Sequence, residues 1–153
     1  MRKCRFTIAL AALTAVLSTT NASAKPAQIK ILKSMEFGTI AADATLPGYV
    51  TIDPVTKTKT VGGGVYDFGG GDRPMHFDIR GDKGMPYTIT LPSSVTLTSG
   101  ASSMTLGNFT TDVPLVGVFV SGMYHVNLGG TLQVAANQAP GTYSGLIDIT
   151  VNY

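Results

Sequence analysis

Alternation of apolar and polar residues is the feature that most constrains the fold of this chain. The run MHFDIR, at residues 75–80, places a large apolar side chain at every second position. Similar alternating runs occur at residues 27–31, 85–91 and 126–134. A period of two is typical of half-buried β-strands, whereas an amphipathic helix needs apolar residues three and four apart. After residue 24 no useful length of sequence has the helical spacing, so we predict an all-β fold.

Turn sequences separate the alternating runs at short intervals, as in LPG (46–48), GDKG (81–84) and APG (139–141). Parallel strands would require helical crossovers, for which the sequence has no candidate, so we predict an antiparallel sandwich or barrel. Two glycine triplets, at 62–64 and 69–71, flank the residues VYDF. No Lys-Ser or Lys-Thr follows them, which favours a hairpin or bulge with positive φ over a phosphate-binding loop.

The first 24 residues have the three parts of a secretory signal peptide. Basic residues precede an apolar run at 6–17, and the sequence Ala-Ser-Ala ends at Ala24. The apolar run is too short to span a bilayer, which takes about 20 residues. We predict cleavage between Ala24 and Lys25, export of the chain, and one domain over residues 25–153 without a membrane span.

Removal of this segment changes the charge and the cysteine content. The one cysteine, Cys4, lies within it, so the exported domain is expected to have no intrachain disulfide. Three of the 11 basic residues are also lost, leaving eight against 9 acidic residues. Nucleic-acid binding requires clustered Lys and Arg, so we expect no nucleic acid among the partners.

Metal and cofactor sites of the common kinds are not predicted. The two histidines, His76 and His125, are far apart in the sequence, and zinc takes three or four His, Cys or carboxylate ligands. Four aspartates near the glycine-rich turns leave calcium as a weaker alternative: Asp67, Asp72, Asp78 and Asp82. They lack the ligand spacing of a calcium loop, and acids beside turns usually stabilise the turn itself.

The sequence also lacks a pattern typical of an active site. GTYSG, at 141–145, has the spacing G-x-x-S-G instead of the G-x-S-x-G of a nucleophile elbow. Glu36 is the single glutamate, and nothing indicates a cleft with paired carboxylates. We therefore predict that the protein is not an enzyme.

Three stretches of the sequence, taken together, resemble those of a known protein family. They are FGTI at 37–40, YTITLPSSVTLTSG at 87–100, and LGGTLQVAANQAPGTYSGLIDITVNY at 128–153. In this order they resemble an uncharacterised family of secreted bacterial domains with pilin-like sequences, akin to spore coat protein U and to the subunits of chaperone–usher pili. The resemblance covers essentially the whole chain after the signal segment.

This resemblance implies an incomplete immunoglobulin-like β-sandwich that lacks its last strand. A periplasmic chaperone, and later another pilin-like subunit delivered by an outer-membrane usher, would fill the groove beside the C-terminal strand. The protein would then be a structural or adhesive subunit of a fimbrium or coat at the cell surface. The residues that the resemblance places on the groove side of that strand are Tyr143, Gly145, Ile147, Ile149, Val151 and Tyr153.

Two questions stay open at this point. The residues that could donate a strand are Ala27, Ile29 and Ile31, but the same run could be the first strand of the domain itself, which would then donate nothing. The alternative function is a self-contained secreted module that binds a ligand such as a carbohydrate. Such a module needs exposed aromatic side chains, for which we expect Tyr49, Tyr66 and Tyr124 in loops.

Overall fold

The computed structural model describes residues 28–152, and every regular element in that range is a β-strand. The strands are β1 (Gln28–Lys33), β2 (Ile40–Ala42), β3 (Gly48–Ile52), β4 (Lys59–Gly63), β5 (Val65–Asp67), β6 (Met75–Arg80), β7 (Pro86–Thr90), β8 (Ser94–Ser99), β9 (Ser102–Thr111), β10 (Val116–Val118), β11 (Met123–Val134) and β12 (Thr150–Asn152). All pairs between them are antiparallel, so the predicted all-β antiparallel class is confirmed.

Several predictions fall outside the described residues. These are the signal segment with its cleavage point at Ala24 and Lys25, the first proposed donor residue Ala27, and the terminal residue Tyr153. Between residues 28 and 152 there is no helix of the length and apolarity that crossing a membrane requires.

The larger sheet is organised around β11, which has 12 residues. The first half of β11 pairs with β6, and its second half pairs with β3 on the same edge and with β9 on the other. β1, β4 and β8 extend the sheet beyond β6, β3 and β9. The partners change at Gly129, where a Cβ atom would lie 2.1 Å from the carbonyl oxygen of Ile52, so a side chain would block this junction.

A smaller sheet, with the order β10-β7-β12, covers one face of the larger sheet. Apolar residues of both sheets form one buried cluster: Met75, Phe77, Ile79, Val126 and Leu128 from the larger sheet, Tyr87, Ile89 and Val151 from the smaller one, and Phe119. Two sheets that bury their inner faces against each other form a sandwich-like arrangement. A second cluster, beneath β3, β8 and β9, continues the core towards the other end of the molecule.

The alternating runs lie in strands with the expected faces. In β6, Met75, Phe77 and Ile79 point into the core, and in β7 the buried residues are Tyr87 and Ile89. The glycine triplets lie at turns and strand ends, where Gly63 and residues 69–71 have positive φ. This confirms their predicted role as hairpin or bulge glycines.

The carboxylate of Asp43 stabilises the turn between β2 and β3. It accepts hydrogen bonds from the backbone N–H groups of Thr45 and Leu46, from the Thr45 hydroxyl and from the Tyr66 hydroxyl. These bonds, the Thr45 backbone N–H first among them, lower the pKa of Asp43 from 3.8 to about 2. Since Tyr66 lies on β5, the same carboxylate joins the β2–β5 pair to this turn.

We expect Asp43→Asn to lower the resistance of the protein to urea at neutral pH. The folded pKa of Asp43 lies below 3.8, so its contribution to stability is present above that pH and is lost as the pH falls towards about 2. The urea midpoints of variant and wild type should therefore differ at pH 7 and converge near pH 2. Asp148→Asn, at an exposed position, is the matched control. A difference that is equal at both pH values would contradict this role of Asp43.

Candidate functional site

The segment from residue 141 to residue 152 runs antiparallel to β7 and β8 and closes the smaller sheet. Ser144 and Thr98 exchange both backbone hydrogen bonds, at 2.9 and 3.1 Å. Further along, β12 pairs with residues 88–90 of β7. We refer to residues 141–152 as the closing segment.

The closing segment is less regular than the single strand expected for it. Its strand is limited to β12, with one isolated bridge at Ser144. Thr90 and Thr98 are eight positions apart, whereas their partners Thr150 and Ser144 are six positions apart, so the two segments cannot keep one register. The additional residues lie at the β7–β8 junction, which contains Pro92, and proline has no N–H to donate to a ladder.

Burial along the closing segment nevertheless has a period of two. The half-buried or buried side chains are those of Tyr143, Ile147, Ile149 and Val151, and all of them pack against the two core clusters. Leu146 faces the other way and is 86% exposed. Gly145 is exposed, and a Cβ atom there would lie 2.7 Å from the backbone oxygen of Thr96. The backbone at Gly145 is therefore packed closely against β8.

Each sheet has an end strand that contacts the same core cluster. β1 is the first strand of the larger sheet, and β12 is the last strand of the smaller sheet. Ile29 of β1 packs against the same cluster as Ile147 and Ile149 of the closing segment. We call the region between β1 and the closing segment the open edge.

The exposure of Ile31 shows that this side of the core is incompletely covered. Ile31 lies directly opposite Phe77 in the β1–β6 pair, so both side chains are on the inner face of the sheet. Phe77 is 0% exposed, whereas Ile31 is 55% exposed. Among the described residues, β12 has a strand neighbour on one side only, so its other backbone edge is not paired with a strand.

The residues considered as a donor strand belong to the sheet of this chain. Ile29 and Ile31 lie in β1, which pairs with β6 over residues 28–31. They form one wall of the open edge instead of a free extension. This run is the first strand of the larger sheet, and its use as a donor strand stays a prediction.

The smaller sheet has a second apolar edge that the sequence analysis missed. Val116 and Val118 of β10, and Val120 after it, are all exposed. They alternate with Gly117 and with Phe119, which is fully buried. Valine occupies every second position of the sequence VGVFV, at 116–120. This spacing places the valines on one face, which is the exposed face here.

Three of the four aspartates of the calcium alternative are engaged in two separate contacts. Asp67 and Asp72 both bind the Lys59 ammonium, at 2.6 and 3.1 Å. Burial alone would lower the pKa of Lys59, but the hydrogen bonds to these two carboxylates raise it overall. The Lys59 bond in turn lowers the pKa of Asp67. Asp78 instead contacts His125, so the four carboxylates do not form one set of ligands.

The prediction that the three tyrosines lie in loops is wrong. Tyr49, Tyr66 and Tyr124 lie in β3, β5 and β11 respectively. The Tyr124 ring packs against Tyr87 and Phe119 in the core, and its hydroxyl donates to the carbonyl of Val118. Tyr49 lies against Gly62 in the neighbouring strand, and the Tyr66 hydroxyl binds Asp43. Alternation places tyrosine in strands more readily than in loops, and this signal was available in the sequence.

Residues 27–153 match the family model described as "Domain of unknown function (DUF4402)". No curated protein and no solved structure matches the chain.

Gly145→Val should detach the first part of the closing segment from β8. The new side chain would overlap the backbone oxygen of Thr96, and overpacking of this kind costs about 1–3 kcal/mol. We expect hydrogen exchange of the Ser144 and Thr98 amides to accelerate, because these two amides join the segment to β8. Leu146→Ala, next to it but on the exposed side, should leave both rates unchanged. Unchanged protection in Gly145→Val would show that the close packing is unimportant.

Proposed function

Since the chain belongs to the family described as a domain of unknown function, DUF4402, we propose a function from the geometry of its own open edge. The protein is a non-enzymatic structural or adhesive subunit of a bacterial surface fibre or coat. An extended strand from another polypeptide completes it at the open edge. The observation that carries this proposal is the exposure of Ile31 on the inner face of the sheet, directly opposite the fully buried Phe77.

The order of the strands supports this proposal. A seven-stranded immunoglobulin-like sandwich has strands A, B, E and D in one sheet and C, F and G in the other. Here β1, β6, β11 and β9 are adjacent in that order, and β7 and the closing segment correspond to C and F. Their order along the chain also agrees with A to F. The position of strand G is the open edge, where pilin-like sequences are expected to lack a strand.

The physical basis of completion is β-augmentation. The outer side of the closing segment presents backbone N–H and C=O groups that a new antiparallel or parallel strand can bind. Every second side chain of that strand would enter the space beside Ile31, Ile149 and Val151. Apolar residues at those positions would cover surface that is otherwise in contact with water. An uncovered apolar strand edge promotes aggregation, so a periplasmic chaperone would occupy it before assembly.

The position of β1 limits how this subunit can act in a fibre. Donation by Ile29 and Ile31 would require β1 to leave β6, with which it is paired over residues 28–31. In our proposal the protein therefore accepts a strand without donating this one. Such a subunit occupies the end of a fibre or forms a complex with one partner. Export through the predicted signal segment, passage through the periplasm and location at the cell surface are parts of the same proposal.

A covalently attached strand tests the proposal without knowledge of the natural partner. A Gly/Ser linker followed by a strand of alternating valine and threonine is added after residue 153. Burial of two aliphatic side chains stabilises a protein by about 3 kcal/mol relative to leaving them exposed. The valine fusion should therefore be more stable to urea than the serine fusion by about that amount. The matched control fusion has serine in place of each valine.

Two substitutions identify the place at which the added strand binds. Ile31→Asp should remove most of the stability gained by the valine fusion, because Ile31 lies beside the missing strand. Leu146→Asp, on the exposed side of the closing segment, should keep the gain. Equal stability of the valine and serine fusions would contradict the proposal, and so would a gain that Ile31→Asp leaves intact.

A further inference from the structure

The register of β6 against β11 brings together the two histidines of the chain. His125 lies directly opposite Asp78, and His76 lies opposite Asn127. Side chains of opposite residues, and of residues two apart, share one face of a sheet. The face is the outer one, because the residues between them, such as Phe77 and Val126, are in the core. The His76 and His125 rings lie 5.8 Å apart, centroid to centroid.

Each imidazole has one nitrogen engaged by the protein. Nδ1 of His125 is 2.6 Å from Oδ1 of Asp78, and Nδ1 of His76 is 3.0 Å from Oδ1 of Asn127. Asn127 donates from Nδ2 to Asp112, which fixes its amide with the oxygen towards His76. Nδ1 of His76 is then a donor, which leaves Nε2 of that ring as its ligand atom. Nδ1 of His125 faces the carboxylate of Asp78 directly, so an ion bound by this pair would replace the proton between them. The hydrogen bond from His76 to Asn127 is of the kind that orients a histidine ligand of a metal ion.

Asp78 is a buried carboxylate without a cationic lysine or arginine partner. It is 5% exposed, and in the part of the chain that the structure describes the His125 ring is the one basic group within salt-bridge distance of it. This differs from Lys59, whose buried ammonium is neutralised by two carboxylates. A buried charge is costly unless it is paired or coordinates a metal ion. The environment of Asp78 therefore favours an additional positive charge.

We propose that His76, Asp78 and His125 bind a divalent transition-metal ion of the Zn²⁺ type on the outer face of the larger sheet. Each residue offers one ligand atom, and these atoms lie within 4.8 Å of one another. In a tetrahedral zinc site the ligands are bonded at about 2.1 Å and lie about 3.4 Å from one another. Rotations of the three side chains would bring their ligand atoms to this spacing. Two imidazoles and one carboxylate suit zinc, nickel or copper, whereas calcium takes oxygen ligands. Three protein ligands leave a position for water or a partner residue.

This site goes beyond the proposed function and does not depend on it. The ligands come from β6 and β11, so the ion would link the two strands that carry most of one wall of the core. Lys30 of β1 lies opposite Asp78 on the same face, and its positive charge opposes that of the ion. Removal of this charge should therefore strengthen binding.

The test is calorimetric titration of the purified protein, without a polyhistidine tag, with ZnCl₂. We expect one saturable site per chain. His76→Ala and His125→Ala should each weaken binding by about 100-fold or more, and Asn127→Ala, which removes the partner of His76, by about 10-fold. Lys30→Gln should bind zinc more tightly than wild type. Urea unfolding of each variant without metal establishes that the variant is folded. This control matters most for Asp78→Asn, because Asp78 is buried.

Controls separate the site from general binding of zinc to surface carboxylates. Asp82→Asn changes an exposed acid near the same strand and should leave the affinity unchanged. Zinc should also raise the urea midpoint of wild type but not that of His125→Ala, because only the folded wild type has the site. The proposal is overturned if wild type has no saturable site, or if both histidine variants bind zinc as wild type does. Neither result affects the strand-addition experiment, whose readout contains no metal.

Discussion

The pairing of β11 is the constraint on which the rest of the structure depends. This strand holds β6 along its first half and holds β3 and β9 along its second half. Gly129 makes the exchange possible, because the Ile52 carbonyl occupies the space that a side chain would need. Every other strand of the larger sheet attaches through one of those three partners. The core face of β11 contributes residues to both buried clusters, so it also joins the two halves of the interior.

The two faces of the larger sheet have different chemistry, and both depend on this one register. On the inner face, the β6–β11 pairs bury Phe77 and Val126 against the smaller sheet. On the outer face, the same pairs place His125 beside Asp78. A shift of one residue would move every side chain of a strand to the opposite face. The buried pair of Phe77 and Val126 and the histidine cluster are thus consequences of a single alignment.

The sequence predicted local features of the fold better than relations between distant segments. Period-two alternation is a local signal, and it correctly identified the inward faces of β6 and β7. The irregularity of the closing segment depends on additional residues in its partner near Pro92, which lies more than 50 positions away. The meeting of His76 and His125 likewise depends on a register that neither strand encodes alone. The large separation of His76 and His125 along the sequence therefore did not exclude that they lie together in the structure.

The order in which the strands occur along the chain has a consequence for folding. The middle strand of the smaller sheet, β7, obtains one of its two neighbours from β12, about 60 residues later. Until those residues are available, Tyr87 and Ile89 lack Val151, one of the side chains that bury them. Pairs between strands so far apart form slowly, because the loop between them must close first. Export as an extended chain, which is part of our proposal, would prolong this period, and β7 would then need protection against aggregation earliest.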